Sequence, residues 1–266
     1  MSRFALPSAL DRFEHLAASW RDTGPCLFLD FDGTLAPIVP RPELAELAPP
    51  VRDLLGRLAA RCPVCVVSGR TMPDLRARIA LDQVYYAAEH GFEIRGPAGS
   101  ALEFCAAEAP DSSISEIASS LARQLSTVPG VFLEQKRFSV AVHYRQAPEG
   151  LQPQVGRVVQ QAMHLHPGLT LRGGKKVYEL RPAVDWHKGR AFLWLLQRWE
   201  ELYGARHPLC VGDDLTDEDM FEAVEGLGTA IVVGRPGRHT KARYYLRDPV
   251  QVGLFLARLA DHLGAH

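Results

Sequence analysis

The sequence predicts an α/β protein: a doubly wound parallel sheet interrupted by a smaller inserted α+β domain. Three observations carry that prediction. Short, nearly unbroken apolar runs at residues 26–31, 63–67, 208–212 and 229–233 read as strands buried on both faces. Segments with apolar residues at helical spacing lie between them, the rhythm of βαβ units. The middle of the chain breaks this rhythm with one helix followed by two strands, twice over.

The elements follow in order. The first strand carries Asp30 at its end and leads into a loop with Pro37, Pro40, Pro42, Pro49 and Pro50. Val51, Leu54, Leu55 and Leu58 then form one helix face. The second strand stops at Ser68-Gly69-Arg70, and Thr71 to Asp74 has the spacing of a capping box that opens a helix. In the middle segment, Ile114, Ile117, Leu121 and Leu125 make a helix face, and 131–135 with 138–145 make a strand pair. Val155, Val158, Val159 and Ala162 make a second helix face, and 169–172 with 176–180 make a hairpin turning at Gly173-Gly174.

Along 138–145, Phe138, Val140, Val142 and Tyr144 alternate with Ser139, Ala141, His143 and Arg145. The apolar side is expected against the two helices, leaving the polar side toward a partner surface. After Pro182 the first rhythm returns: a helix over 186–199, strands at 208–212 and 229–233, and Asp248-Pro249 opening a last helix. The insertion is therefore placed at 105–180, and residues 1–104 with 181–266 form a Rossmann-like core.

Bulk properties narrow the function. A chain of 266 residues has room for about two domains. A formal net charge of -1 supplies no basic field, so no nucleic-acid partner is expected. No apolar run approaches the roughly 20 residues that span a bilayer. The first 20 residues are broken by Arg3, Asp11, Arg12 and Glu14, so no membrane association and a cytoplasmic location are expected. Cys62 and Cys65 form a C-x-x-C, but Cys65 lies inside an apolar strand and no second pair completes a zinc site, so both read as buried structural thiols.

The chemistry gathers at strand ends, where open α/β sheets bind ligands. Asp30 and Asp32 stand at i, i+2 with Gly33 free to turn the chain. Two such carboxylates repel unless a cation or protons separate them, and oxygen-only donors suit Mg²⁺. Ser68, between a strand and a helix start, can offer a hydroxyl to a phosphate. Lys188 opens a helix, where a cation opposes the dipole, so a role beyond the helix is expected. Asp213 ends another strand and supplies a further acid. Asp217, Glu218 and Asp219 also fit a capping box over 216–219, a reading at least as good as metal binding.

Taken together, Asp30-x-Asp32-Gly33-Thr34, Ser68-Gly69-Arg70, Lys188-Gly189 and Gly212-Asp213-Asp214 resemble the four motifs of the haloacid dehalogenase superfamily. The finer resemblance is to its trehalose-6-phosphate phosphatases. It rests on 30–38 (DFDGTLAPI), Glu89-His90-Gly91, 177–182 (VYELRP) and 212–221 (GDDLTDEDMF). The resemblance implies a Mg²⁺-dependent phosphatase acting on a small sugar phosphate. Sucrose-phosphate phosphatases share the architecture and leave another sugar phosphate open as substrate.

In this likeness Asp30 is the nucleophile and Asp32 the general acid and base. Asp30, the backbone carbonyl of Asp32 and Asp213 hold the metal. Ser68, Gly69 and Lys188 bind the phosphoryl oxygens, with Asp214 and Asp217 supporting that shell. The insertion becomes a cap that closes over the sugar. Arg70, Glu134, Lys136, Arg145 and Glu179 become the substrate-binding residues, and the i, i+2 spacing of Glu134 and Lys136 puts them on one strand face.

Overall fold

Along a strand, side chains alternate between two faces, and in the central sheet of the larger unit both faces are covered. The computed structural model describes residues 6–107, 111–174, 176–234 and 240–265. The elements before the insertion are α1 (Phe13–Ser19), β1 (Pro25–Asp30), α2 (Pro49–Ala59), β2 (Val64–Val67), α3 (Met72–Ile79), β3 (Tyr85–Ala88), β4 (Glu93–Arg95) and β5 (Glu103–Cys105). The insertion holds α4 (Asp111–Leu125), β6 (Phe132–Gln135), β7 (Val140–His143), α5 (Gln152–Leu165), β8 (Leu169–Gly174) and β9 (Val177–Pro182). After it come α6 (Lys188–Tyr203), β10 (His207–Gly212), α7 (Leu215–Ala223), β11 (Thr229–Val233), β12 (Tyr244–Leu246) and α8 (Pro249–Gly264).

The chain divides into two units, Met1–Cys105 with Trp186–His266, and Ala106–Asp185. The sequence-based borders at 105 and 180 fall slightly ahead of these. β9 runs on to Pro182, and Trp186 belongs to the larger unit, where it stacks on Phe104 at 4.7 Å between ring centroids.

In the larger unit, eight strands lie in the order β12-β11-β10-β1-β2-β3-β4-β5. From β12 to β3 neighbours are parallel, and β4 and β5 add an antiparallel edge. Leu27 and Leu29 of β1 face one buried cluster with Leu55 and Leu58 of α2, Leu75 of α3 and Phe255, Leu256 and Leu259 of α8. Cys26 and Phe28 face the opposite cluster with Phe192, Leu195 and Trp199 of α6 and Met220 and Phe221 of α7. Each such fully buried aliphatic or aromatic side chain contributes about 1.5–3 kcal/mol. Burial also raises the thiol of Cys62 to about 12, which keeps it in the neutral form.

The smaller unit is the twice-repeated α-β-β arrangement, folded as one antiparallel sheet in the order β6-β7-β9-β8. Ile114, Ile117, Leu121 and Leu125 of α4 and Val155 and Val159 of α5 pack on Val140, Val142 and Leu180.

Several local expectations shift. The hairpin does not turn at Gly173-Gly174: both glycines are in β8, paired with Tyr178 and Val177, and the left-handed residue past them is Lys176, at φ 66°. The strand expected over 138–145 shortens to β7, and the helix expected over 186–199 becomes α6. Thr71 precedes α3 without a side-chain cap, and Asp74, the other half of the expected capping box, accepts from two arginines instead. Asp248 does cap α8, accepting from the Gln251 N–H at 2.9 Å. Among the described residues, no helix is long and apolar enough to cross a membrane.

Candidate active site

The sheet register brings three strand ends together. Asp30, the last residue of β1, is opposite Val67 on β2, and Leu29 is opposite Val211 on β10. Ser68 and Asp213 therefore emerge beside Asp30 at the carboxyl edge. The chain also reverses its strand order here, with β2 on one side of β1 and β10 on the other, which opens a crevice. After β1, Gly33 adopts φ 89° and its N–H donates to Ala36 O at 2.7 Å. A Cβ at Gly33 would sit 2.4 Å from Asp213 Oδ2, so only glycine lets these two loops meet.

Lys188 is 2% exposed. It donates to Asp30 Oδ1 at 2.6 Å and to Asp217 Oδ1 at 2.8 Å. The helix-start reading of Asp217 is right in kind but displaced. Asp214, not Thr216, caps α7, which makes Asp217 the third helical residue. Its Oδ2 reaches back to accept from the N–H groups of Asp213 and Asp214 at 3.0 and 3.1 Å. Asp217 therefore does two jobs, completing the capping box and anchoring Lys188, and it is fully buried.

One carboxylate oxygen from each of Asp30, Asp213 and Asp217 lies within 4.8 Å of the others. Lys188 is ion-paired with two of these three acids, Asp30 and Asp217. Burial raises the Asp30 carboxyl well above its ordinary value, with Asp217 and Asp213 adding to the rise and Lys188 opposing it. Burial alone would lower Lys188, but the carboxylates of Asp217 and Asp30 outweigh it and hold the ammonium charged. An oxygen-only donor set with excess negative charge is what a hard divalent cation needs. The residues present fit such an ion.

The carboxylate of Asp32 takes no part in that cluster. Arg70 holds it from both sides, Nε to Oδ2 at 2.7 Å and Nη2 to Oδ1 at 2.6 Å. The third arm of Arg70, Nη1, donates to Asp74 Oδ2 at 2.6 Å, and Arg78 Nε also donates to Asp74, at 2.9 Å. Arg70 was expected to meet substrate; the structure places it on Asp32 and Asp74. Asp74 and Arg78 escaped the sequence reading, although Arg70, Asp74 and Arg78 follow one another at helical i, i+4 spacing.

Ser68 is buried, and its Oγ accepts from the Arg70 N–H at 3.2 Å. The loop after β3 is stapled to it: His90 N–H donates to Ser68 O and Glu89 N–H to Arg70 O, both at 2.8 Å. Glu89, His90 and Gly91 all adopt positive φ. This bend lays the His90 ring so close to Gly69 that a Cβ there would be 2.7 Å from it. Trp186 Nε1 fixes the bend by donating to Gly91 O at 2.7 Å. The Glu89-His90-Gly91 motif thus shapes the loop that carries Ser68.

Residues 28–250 match the family described as Trehalose-phosphatase. The chain belongs to the trehalose-phosphatase family. It is 42% identical over 243 residues to the trehalose-phosphate phosphatase of Mycobacterium tuberculosis, an alignment covering 90% of this chain and 62% of that protein. It therefore spans less than two thirds of that relative's length. Among solved structures, Aspergillus fumigatus trehalose-6-phosphate phosphatase is similar with a TM-score of 0.70, 28% identity and coverage of 97% of this chain and 100% of that one. The C-terminal domain of C. albicans trehalose-6-phosphate phosphatase shares the fold with a TM-score of 0.79 at 24% identity, covering 97% and 99%.

Within this trehalose-phosphatase fold, the smaller unit carries its own polar face. Register sets Arg172, Glu179, Ala141 and Glu134 in one row across β8, β9, β7 and β6. Lys136 Nζ and Ser139 Oγ both donate to Glu179 Oε1, at 3.1 and 2.9 Å. His143 Nε2 lies 3.0 Å from Glu134 Oε2, and this hydrogen bond outweighs burial to hold the Glu134 carboxyl below its ordinary value. Of the five expected substrate-binding residues, the four in this unit are Glu134, Lys136, Arg145 and Glu179, and three of these, Glu134, Lys136 and Glu179, share one face with Ser139 and His143. Arg145 lies past the end of β7, exposed, two residues beyond His143. Ser139 and His143 were legible only as the polar side of an alternating strand.

Proposed function

We propose that the chain is a Mg²⁺-dependent phosphatase that hydrolyses trehalose 6-phosphate to trehalose and inorganic phosphate through a phosphoryl-aspartate on Asp30. The observation that carries this reading is the buried Lys188 bridging Asp30 and Asp217 beside Asp213. The family and the 42% identity to a trehalose-phosphate phosphatase supply the substrate.

Lys188 occupies Asp30 Oδ1, which directs attack on phosphorus to Oδ2. Asp32 gives a proton to the departing sugar oxygen. It then takes one from the water that attacks the phosphoryl-aspartate, releasing phosphate and restoring Asp30. Ser68, Gly69 and Lys188 bind the phosphoryl oxygens as charge shifts among them, the electrostatic help that a very slow bond needs. When bound, Mg²⁺ would be held by Asp30, Asp213 and the Asp32 backbone carbonyl and would neutralise charge on the phosphoryl group. Asp214 and Asp217 support this shell by fixing the start of α7. Glu134, Lys136 and Glu179, with Arg145, supply the donors and acceptors for sugar hydroxyls.

The test is phosphate release from trehalose 6-phosphate with Mg²⁺ or EDTA, in wild type and Asp30→Asn, beside glucose 6-phosphate and sucrose 6-phosphate. Selective release that EDTA and Asp30→Asn both abolish is expected. Preference for another ester replaces the substrate. No release from any ester by folded protein ends the reading.

A further inference from the structure

The group assigned here to proton transfer is not left to find its own orientation. Arg70 grips both oxygens of Asp32, so the plane of that carboxylate follows the plane of the guanidinium. Arg70 lies over the Phe31 ring, 5.2 Å from its centroid, and leans on Asp74 through Nη1. Asp74 is the third residue of α3, placed to complete a capping box with Thr71, yet that helix has no side-chain cap. Asp74 instead accepts from Arg70 on one side and from Arg78 Nε on the other. Arg78 is fixed in turn by the carbonyls of Ala45 and Glu43, in the loop between β1 and α2. A local rule is given up to build this chain, and the chain ends on Asp32.

We propose that Asp74 and Arg78 are positioning residues that act through Arg70 to hold Asp32 in line for both of its proton transfers. The proposal rests on the reading of Asp32 as acid and base, and the experiment separates the two. With p-nitrophenyl phosphate the first half-reaction forms the Asp30–phosphorus bond and breaks the bond to the nitrophenolate oxygen, a leaving group that needs no proton. The second half-reaction breaks the Asp30–phosphate bond as water adds, and the water proton must pass to Asp32. A variant that disorients Asp32 keeps the first and slows the second.

Rapid-mix kinetics of Asp74→Asn should therefore show a burst of about one equivalent of nitrophenolate, followed by a steady-state rate about tenfold below wild type, with KM falling in step and kcat/KM nearly kept. Turnover of trehalose 6-phosphate, whose leaving oxygen does need the proton, should fall by at least as much. Arg78→Gln should show the same pattern more weakly, and it carries the test if Asp74→Asn does not fold. A merely structural role would lower burst size and rate together, and that result overturns the proposal. So does a wild-type rate in both variants. If wild type cleaves p-nitrophenyl phosphate but not trehalose 6-phosphate, only the substrate assignment falls and the burst still decides the relay. If wild type cleaves neither, the relay falls with the function on which it rests.

Discussion

The two polar constellations of this protein are built on opposite principles. At the strand ends of the larger unit, Asp30, Asp217 and Lys188 are buried and ion-paired at 2.6–2.8 Å, and two backbone N–H groups lock Asp217. On the sheet face of the smaller unit, Lys136 with Glu179 and His143 with Glu134 are pairs at 3.0–3.1 Å on one strand face. On the proposed function, the first arrangement pays desolvation to fix charge against a reacting atom. The second presents donors and acceptors in a row, as recognition of a hydroxyl-rich ligand requires. A charge inside a buried network cannot be removed without stranding its partners, whereas the more exposed His143–Glu134 pair can be trimmed.

Lys188→Met should have the largest effect, because it strands two buried carboxylates: about 3–5 kcal/mol of stability lost in urea unfolding. Turnover should fall by about a hundredfold or more. A loss under 1 kcal/mol would erase the contrast between the two regions.

The next effect concerns protons and the cation. Because the folded carboxyl of Asp30 is raised, it binds a proton more tightly folded than unfolded. Its contribution therefore turns unfavourable as pH rises from the unfolded carboxylate range, about 4, through its folded value. On the proposed function, Mg²⁺ would take the place of that proton. The rise in Tm on adding Mg²⁺ should thus be large at pH 8 and shrink toward pH 5; a rise independent of pH would remove the cation from this cluster.

Lys136→Met should act on binding alone. KM for the sugar phosphate should rise about tenfold with kcat nearly kept. The smallest effect is expected of His143→Gln, which loosens Glu134 without removing it: a rise in KM of about twofold to threefold, read by steady-state kinetics. A larger loss than that of Lys136→Met would make His143 a direct contact.

Much of the larger unit was legible because uninterrupted apolar runs end abruptly at Asp30, Ser68 and Asp213. What escaped depended on competition between equally reasonable local partners. The acid at 74 has the spacing of a cap for Thr71, but two arginines claim it, a choice made only when α3 packs beside the Arg70 loop. Asp217 was ambiguous because a capping box and a buried anchor use the same carboxylate, and here it serves as both. The three-residue strands β4 and β5 are too short to leave a periodic trace. The helix α1 takes its stability from tertiary contact, with the Phe13 ring 5.6 Å from that of Phe255 on α8.

The position of β1 has a consequence for how the protein is made. The strand that ends in Asp30 lies in the interior of the sheet, yet one of its two neighbours, β10, begins only at His207, beyond the whole insertion. On a ribosome adding about 5–20 residues per second, one apolar flank of β1 must wait on the order of ten seconds or more for its partner. The insertion is one continuous stretch of chain and can fold during that interval. The growing polypeptide thus carries an unpaired, sticky strand while the smaller unit takes shape, and slowing translation between the two should raise the demand for chaperones.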